Sequence, residues 1–338
     1  MSLQSKIIGT GSYLPSRVVS NKDLEEVLNT TDEWIRQRTG ITKRHWASKD
    51  ETTSDLALKA CERALESASL KKEEVDLLLL ATVTPDHEFP GTACFLQAKM
   101  GIPGVPAIDV RQQCGGFIFA LSMADQYIRT GTYKNVLIVC SELHSRCLDL
   151  TPKGRNLSVI FGDGAGAVVL KGTEVTDPEN QPHIISTKIH SDGSQAKELW
   201  CPGPGLALFG EERMTQEMIN DGLQYPQMNG RAIFSHAVRT MSESLIESLT
   251  SNGKTLNDLE LAFFHQANRR ISEAIGKNLE LEESLIHSTV EIYGNTTSAT
   301  IPIGLDDAVR KGKLKQGMLI SNVAFGSGFT WGHSLIRY

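Results

Sequence analysis

One cysteine, Cys114, stands where a thiol could act as a nucleophile. It falls between an apolar segment that predicts a strand (105–110) and a largely apolar segment that predicts a helix (116–130), with Gly115 and Gly116 leaving room for a substrate. Unpaired backbone N–H groups and the positive end of the helix dipole favour a thiolate there, so we expect the pKa of this thiol to lie below its usual value. The alternative is a buried structural cysteine, which is a common fate of this residue type.

Two more side chains and one loop could take part in the same chemistry. His265 follows the apolar segment 261–264, and the end of a buried strand in an α/β protein commonly borders a cleft. Asn295 follows a Tyr-Gly pair, where an asparagine can equally serve as a turn or helix-cap residue. The glycine-rich segment 325–328 is either a tight turn or a loop whose N–H groups bind an oxyanion. Together these groups would suit acyl transfer through a covalent thioester.

The elements that must position these residues are predicted by the hydrophobic pattern. Short apolar segments alternate with amphipathic helical stripes, which is typical of an α/β fold. Buried strands are predicted at 75–83, 136–140, 165–170 and 261–264. Helices are predicted at residues 53–69 and along the stripe of Val238, Met241, Leu245 and Leu249. We assign both stripes to the core and no chemistry to them.

A weak internal repeat indicates two related halves. Phe161-Gly-Asp-Gly164 and Phe325-Gly-Ser-Gly328 lie about half the chain apart, and each precedes a strand-like segment. The order of amphipathic helix, acidic turn and apolar strand also recurs, at 53–82 and at 236–265.

Composition excludes several classes of protein. The chain has 338 residues and a net charge of −6, enough for two domain-sized units or one double domain. No stretch approaches the ~20 apolar residues that span a membrane, and the mild acidity argues against a general nucleic-acid binder. The six cysteines form no C-x-x-C pair, which argues against a zinc site. Without a secretory leader at the start, we expect reduced thiols and a cytoplasmic location.

Several strings resemble, in their order along the chain, those of β-ketoacyl-acyl-carrier-protein synthase III. They cover nearly the whole sequence: Thr31-Asp-Glu-Trp-Ile-Arg36, Arg38-Thr-Gly-Ile41, Cys114-Gly-Gly-Phe117, Phe161-Gly-Asp-Gly-Ala-Gly-Ala167, His265-Gln-Ala-Asn268, Tyr293-Gly-Asn-Thr296 and Phe325-Gly-Ser-Gly-Phe-Thr-Trp-Gly332. Each string is modest alone, but their order makes the resemblance specific. It implies the thiolase fold, an α/β structure of two related halves packed in layers (αβαβα), and a homodimer. The halves would be residues 1–172, with Cys114, and 173–338, with His265 and Asn295.

The resemblance also implies roles in a condensation. Cys114 would take an acyl group from acyl-CoA, and His265 and Asn295 would hydrogen-bond the enolate formed when malonyl carrier protein loses carbon dioxide. The backbone N–H groups of Cys114 and Ser327 would hold the oxyanion of the acyl-transfer steps. The product would be a 3-oxoacyl carrier protein, the first condensation of fatty-acid synthesis. Acyl-CoA and the carrier protein are substrates, and neither a cofactor nor a metal is expected.

Further positions match substrate contacts of that family. An arginine on an aromatic ring suits an adenine, and arginines suit phosphates. The matched positions are Trp34 and Arg155 for adenine, Arg38 and Arg270 for phosphate, Gly230 and Asn268 for the pantetheine arm, and Phe89 for the acyl pocket of the partner subunit.

The chain departs from the family pattern at three places. Ser327 replaces a usual glycine, and Gln112 and Gln113 stand where small residues are common. The segment 195–227 looks longer than usual, and its apolar side chains could line the acyl pocket or cover an outer surface or dimer edge: Trp200, Leu206, Leu208 and Phe209.

Three other functions remain open from the sequence. The first is a relative that passes the acyl group to a hydroxyl or amine, or condenses two larger acyl chains. The second is a cysteine hydrolase, because Cys, His and Asn occur in the same order in papain-like proteases. The third is a non-catalytic scaffold with the same fold.

Overall fold

The computed structural model describes residues 2–207 and 212–338. Its strands are β1 (Ser2–Tyr13), β2 (Arg17–Ser20), β3 (Lys43–Trp46), β4 (Leu77–Ala81), β5 (Ala107–Val110), β6 (Asn135–Glu142), β7 (Gly164–Val175), β8 (His183–Ser191), β9 (Leu199–Trp200), β10 (Gln227–Met228), β11 (Leu261–Phe264), β12 (Leu319–Gly326) and β13 (Thr330–Arg337). Its helices are α1 (Lys22–Leu28), α2 (Asp32–Thr39), α3 (Thr53–Ala68), α4 (Thr92–Met100), α5 (Gly116–Arg129), α6 (Arg155–Ser158), α7 (Gln216–Asn220), α8 (Gly230–Thr250), α9 (Arg269–Asn278), α10 (Val290–Tyr293) and α11 (Thr300–Arg310).

The first large sheet has the strand order β1-β7-β6-β4-β5. β4 runs parallel to β5 and β6, whereas β7 is antiparallel to both β6 and β1. The run of leucines in β4 is explained by burial on both faces of the sheet. Leu77 and Leu79 point into one hydrophobic cluster, and Leu78 and Leu80 point into another on the opposite face.

The second large sheet has the order β11-β12-β13-β8 and repeats the orientations of the first. β11 and β12 are parallel, and β13 is antiparallel to β12 and β8. β8, β13, β12 and β11 therefore correspond to β1, β7, β6 and β4. The first sheet uses strands that end by Val175 and the second uses strands that begin at His183; the boundary at residue 172 stays a prediction.

Helices complete a five-layer arrangement. α5 contacts strands of both sheets, and so does α11, which places these two helices between the sheets. α3 and α4 cover the outer face of the first sheet, and α8 covers the outer face of the second together with α9. The central cluster joins residues of both sheets and both middle helices, for example Leu79, Ile118, Phe263 and Ile303. The predicted α/β class in αβαβα layers matches this architecture.

The close packing of α5 explains Gly116, the second glycine after Cys114. A Cβ on Gly116 would lie 3.0 Å from the side chains of both Ala81 and Ser298, so a larger residue would press on β4 and on the turn before α11. Phe117, Ile118 and Leu121 are fully buried along the same helix. This packing brings the first turn of α5 against the second half of the chain.

The predicted strands and helices are confirmed within a few residues, but three long strands were not predicted: β1, β8 and β12. β1 and β8 lack a clear apolar alternation in sequence. In β1 the reason is the direct contact with α3: a Cβ on Gly11 would lie 2.3 Å from the backbone nitrogen of Ala64. Within residues 2–207 and 212–338, no helix is long and apolar enough to cross a membrane.

Candidate active site

Cys114 lies in a short 3₁₀ turn, Gln113–Gly115, between β5 and α5, as the sequence predicts. Its side chain is buried, with 8% of the residue exposed. The expectation of a lowered pKa is wrong: burial, followed by the nearby charge of Glu142, raises the pKa of the Cys114 thiol to about 12. The backbone N–H of Cys114 itself opposes this rise, but the loss of water around the thiol outweighs it.

His265 follows β11 directly, and its backbone N–H donates to the carbonyl of Val323 at 2.8 Å. The residue is only 3% exposed, and burial lowers the pKa of its imidazole to about 4. Neither ring nitrogen has a hydrogen-bond partner among the described residues. The backbone of Thr297 lies near enough to favour the charged form slightly, although its geometry falls short of a hydrogen bond. The ring is therefore neutral at physiological pH and carries an N–H donor that is not occupied by the protein.

Asn295 is held in the turn between α10 and α11. Its backbone N–H donates to the carbonyl of Ile160 at 2.9 Å, and its own carbonyl accepts from the N–H of Gly162 at 3.1 Å. The side-chain oxygen accepts from the backbone N–H of Thr297 at 2.8 Å. Because that contact occupies the oxygen, the NH₂ group is the part of the amide left for a substrate oxygen.

One apolar cavity brings Cys114, His265 and Asn295 together. Its other walls are mainly hydrophobic side chains from β12, α8, α9 and the segments next to Asn295: Ile160, Phe161, Leu199, Met228, Ile233, Ala237, Met241, Ala267, Ile271 and Phe325. Such a wall excludes water from the three polar groups, which strengthens any hydrogen bond they make to a developing negative charge.

The glycine-rich loop that contains Ser327 lies directly against the nucleophile. A Cβ on Gly326 would stand 2.8 Å from the Cβ of Cys114 and 3.0 Å from its backbone nitrogen. The hydroxyl of Ser327 donates to the carbonyl of Leu199 and so points away from any role as a base. Only the backbone N–H of Ser327 is therefore available for the predicted oxyanion contact.

A second cavity, of about 510 Å³, contains most of the predicted coenzyme A residues. Five of them line it: Trp34, Arg38, Gly230, Asn268 and Arg270. Arg155 approaches from α6, with its guanidinium 4.9 Å from the ring centre of Trp34, and Arg38 lies 5.6 Å from the same ring. Two cations and one indole are thus arranged as an aromatic and electropositive surface for an anionic ligand.

The two cavities adjoin. Ile160 and Met228 line both of them, so a thin apolar wall separates the predicted coenzyme A residues from Cys114. A larger cavity, of about 830 Å³, lies between residues 149–158 and 219–228 and contains none of the predicted site residues. Its size does not make it the reactive site, because it holds none of the three groups assigned to chemistry.

Phe89 is not brought to the Cys114 cavity within one chain. Its ring is on the loop between β4 and α4 and is 84% exposed. Of the described residues of the segment 195–227, only Leu199 lines the cavity, at the point where β9 pairs with β10. Leu206 is 91% exposed and does not line the pocket. Leu208, Phe209 and Gly210 lie outside the described residues, as does Glu211.

One buried group in the site escaped the sequence reasoning. Glu142 ends β6, as His265 follows β11, and the same rule about strand ends could have identified it. It is fully buried, and burial raises the pKa of its carboxyl to about 7. Its hydrogen bonds to Ser298 and to Val83 and Thr84 oppose that rise.

Comparison with known proteins was made against family models and curated sequences. A model described as 3-oxoacyl-[acyl-carrier-protein (ACP)] synthase III matches residues 108–193, and its C-terminal counterpart matches residues 249–338. A protein named beta-ketoacyl-[acyl-carrier-protein] synthase III from Xanthomonas campestris pv. campestris is 45% identical over 336 residues, covering 99% of each chain. The two chains are therefore of nearly equal length.

Solved structures give the same result. The crystal structure of 3-oxoacyl-[acyl-carrier-protein] synthase III from Aquifex aeolicus is 41% identical, with a TM-score of 0.88 over 99% of this chain and 100% of that one. The priming β-ketosynthase of the R1128 polyketide pathway is 31% identical, with a TM-score of 0.87 over 98% and 96% of the two chains. The fold class predicted from the sequence is confirmed by these likenesses.

Proposed function

The chain belongs to the 3-oxoacyl-[acyl-carrier-protein] synthase III family, and from this membership we propose that it joins an acyl group from acyl-CoA to malonyl carrier protein. The products are a 3-oxoacyl carrier protein, carbon dioxide and free coenzyme A. The observation that carries the proposal is the cavity that combines Cys114, His265 and Asn295 and adjoins the cavity of Trp34 and Arg38.

In the first step, the sulfur of Cys114 attacks the carbonyl carbon of acyl-CoA. The thiol proton leaves with the coenzyme A sulfur, and the acyl group remains on Cys114 as a thioester. The backbone N–H groups of Cys114 and Ser327 stabilise the oxyanion of the intermediate. The closeness of Gly326 to Cys114 supports this role, because it brings the two backbone segments into contact.

In the second step, the malonyl group of the carrier protein loses carbon dioxide. The negative charge that develops on its thioester oxygen accepts hydrogen bonds from the neutral imidazole of His265 and the NH₂ group of Asn295. The depressed pKa of His265, about 4, supports this assignment because a neutral ring donates without adding a buried charge. The enolate carbon then attacks the acyl thioester on Cys114, which releases the cysteine.

The binding residues are proposed in the order of the cavities. Trp34 and Arg155 flank the adenine, and Arg38 and Arg270 contact phosphates. Gly230 and Asn268 border the pantetheine arm on its way to Cys114. These contacts would orient the thioester. The proposed location of the reaction is the cytoplasm, where both acyl-CoA and the carrier protein would be met.

The working unit is proposed to be a homodimer. An exposed phenylalanine ring carries apolar surface that water does not favour, and Phe89 is 84% exposed in the single chain. A second copy of the chain would cover this loop, and the Phe89 ring would enter the acyl pocket of that second copy.

A second candidate shares the chemistry but not the pathway. The likeness to a priming β-ketosynthase of polyketide synthesis favours a condensation that starts another kind of chain. A cysteine hydrolase and a non-catalytic scaffold are not favoured by any comparison.

The test is product analysis with a panel of acyl-CoAs and malonyl carrier protein. A new β-keto product supports condensation, free acid supports hydrolysis, and no turnover supports a scaffold. Intact-mass measurement of the acylated chain names the donor. Cys114→Ala should carry no acyl adduct, and retention of the adduct at the wild-type level would remove Cys114 as the nucleophile.

A further inference from the structure

The carboxyl of Glu142 is a buried hydrogen-bond acceptor that joins separate parts of the chain. One oxygen accepts from the hydroxyl of Ser298 at 2.6 Å. The other accepts from the N–H of Val83 at 3.1 Å and from the hydroxyl of Thr84 at 3.0 Å. Glu142 is 0% exposed, so bulk solvent does not reach these hydrogen bonds.

These contacts place Glu142 behind both catalytic turns. Ser298 packs against Gly116, two residues after the nucleophile, where an added Cβ would lie 3.0 Å away. Thr297, next to Ser298, donates its backbone N–H to the side chain of Asn295. The carboxyl therefore braces the turn of Cys114 and the turn of Asn295 against the end of β6.

No cation balances the charge of Glu142 among the described residues. The basic group recorded within 4 Å of it is the imidazole of His144, 3.9 Å away, and burial lowers the pKa of that ring to about 3. The charge of this carboxyl raises the pKa of three thiols: Cys114, Cys140 and Cys147. An ionised Glu142 is thus a buried anion without a neighbouring cation. The three thiols near it are either neutral or negatively charged.

We propose that Glu142 is a positioning residue whose charge controls the ionisation of Cys114. The proposal rests on the proposed function in so far as Cys114 is the nucleophile. Two anions in one water-free site repel strongly, so the thiolate forms preferentially in molecules where Glu142 is protonated. Part of the high pKa of the free Cys114 thiol then comes from this charge, and that part is absent below about pH 7, where Glu142 is neutral.

The variant Glu142→Gln removes the charge and can keep these hydrogen bonds, except for the weaker one that the backbone N–H of Ser298 donates to Glu142 at 3.4 Å. The amide oxygen can face the N–H of Val83, which must have an acceptor. The NH₂ group can face the hydroxyl of Ser298, which rotates to accept and still reaches the carbonyl of Ala81, 3.3 Å away. Glu73→Gln, at an exposed position before β4, is the matched control for the same chemical change.

The measurement is the rate of alkylation of Cys114 by iodoacetamide at about pH 6 and at about pH 9, on either side of the pH at which Glu142 ionises. It is read on the peptide that contains Cys114, because Cys94, Cys147 and Cys201 are exposed and also react. Because the pKa of the Cys114 thiol is about 12, the thiolate is a small fraction at both pH values and the rate is proportional to that fraction. Glu142→Gln should raise the rate roughly tenfold at about pH 9, where the wild-type carboxyl is ionised, and change it little at about pH 6, where that carboxyl is protonated. Glu73→Gln should leave the rate unchanged at both pH values.

A folded Glu142→Gln protein with the wild-type rate at about pH 9 would overturn the proposal. If this variant does not fold, Ser298→Ala decides. Loss of its hydrogen bond raises the pKa of Glu142 further, so less negative charge opposes the thiolate just above neutral pH and Cys114 should be alkylated faster at about pH 7.5. An unchanged or lower rate at that pH in Ser298→Ala counts against the proposal. Alkylation needs neither substrate, so the absence of a β-keto product from the wild-type protein would defeat the proposed function without touching this comparison.

Discussion

Replacing His265 by phenylalanine should make the protein more stable and nearly inactive. Both ring nitrogens of His265 are buried and unpaired among the described residues. A buried polar group without a partner costs about 1–3 kcal/mol, and phenylalanine removes that cost with a ring of similar size. The variant should therefore gain about 1–3 kcal/mol in the free energy of unfolding near neutral pH. Decarboxylation of malonyl carrier protein should fall by about 10²–10³-fold through loss of the donor.

The gain should grow as the pH falls. The pKa of His265 is about 4 in the folded protein, against an ordinary value of 6.5. Below about pH 6.5 the unfolded chain takes up a proton that the folded chain refuses until about pH 4, so the wild-type protein loses stability in this window. At about pH 5 this loss amounts to about 2 kcal/mol, and the phenylalanine variant does not suffer it.

The assay is equilibrium unfolding in urea at about pH 7.5 and about pH 5, at one protein concentration, beside a carbon dioxide release assay. His265→Asn is the matched control, because it loses the titrating ring but keeps an unpaired buried polar group. It should show the weaker pH dependence without the gain at neutral pH. A phenylalanine variant that is less stable than the wild type at both pH values, or whose advantage does not grow on acidification, refutes the reasoning.

Three further predictions follow from the same geometry. Asn295→Ala should slow release of labelled carbon dioxide by about 10²–10³-fold while loading of acyl groups on the nucleophile continues, and normal release would remove Asn295 from the enolate site. Trp34→Ala should raise the KM for acyl-CoA severalfold with little change in kcat, since stacking with a cation is worth roughly 0.5–2 kcal/mol; an unchanged KM would argue against an adenine at Trp34. Phe89→Ala should change the relative kcat/KM of short and long acyl-CoAs if the ring enters a partner's pocket, and an identical donor profile would leave Phe89 with no part in specificity.

Much of the fold was predictable because both faces of the central strands are buried. Residues close together in sequence determine the leucine run of β4 and the strand, turn and helix around Cys114. The hydrophobic pattern of those residues was therefore enough to predict these elements. β1 was not predictable in the same way, because its glycines are explained only by the approach of α3, more than fifty residues away.

The electrostatics of the site could not be predicted from local sequence. The helix dipole at Cys114 is a local feature, and it favours a thiolate. Burial of the thiol and the carboxyl of Glu142 come from distant segments, and they act in the opposite direction. The partners of Glu142 are likewise spread over residues 82–84 and 298, so only the folded chain shows that this carboxyl lies behind the turns of Cys114 and Asn295.

The apolar wall of Ile160 and Met228 between the two cavities has a kinetic consequence under the proposed function. If a donor with its adenine at Trp34 reaches Cys114 past these side chains, it occupies the route by which the arm of the carrier protein would arrive. The two substrates must then use the route in turn, with coenzyme A departing before the acceptor enters. Initial rates plotted in double-reciprocal form should give parallel lines, and added coenzyme A should compete with the carrier protein for the acylated protein.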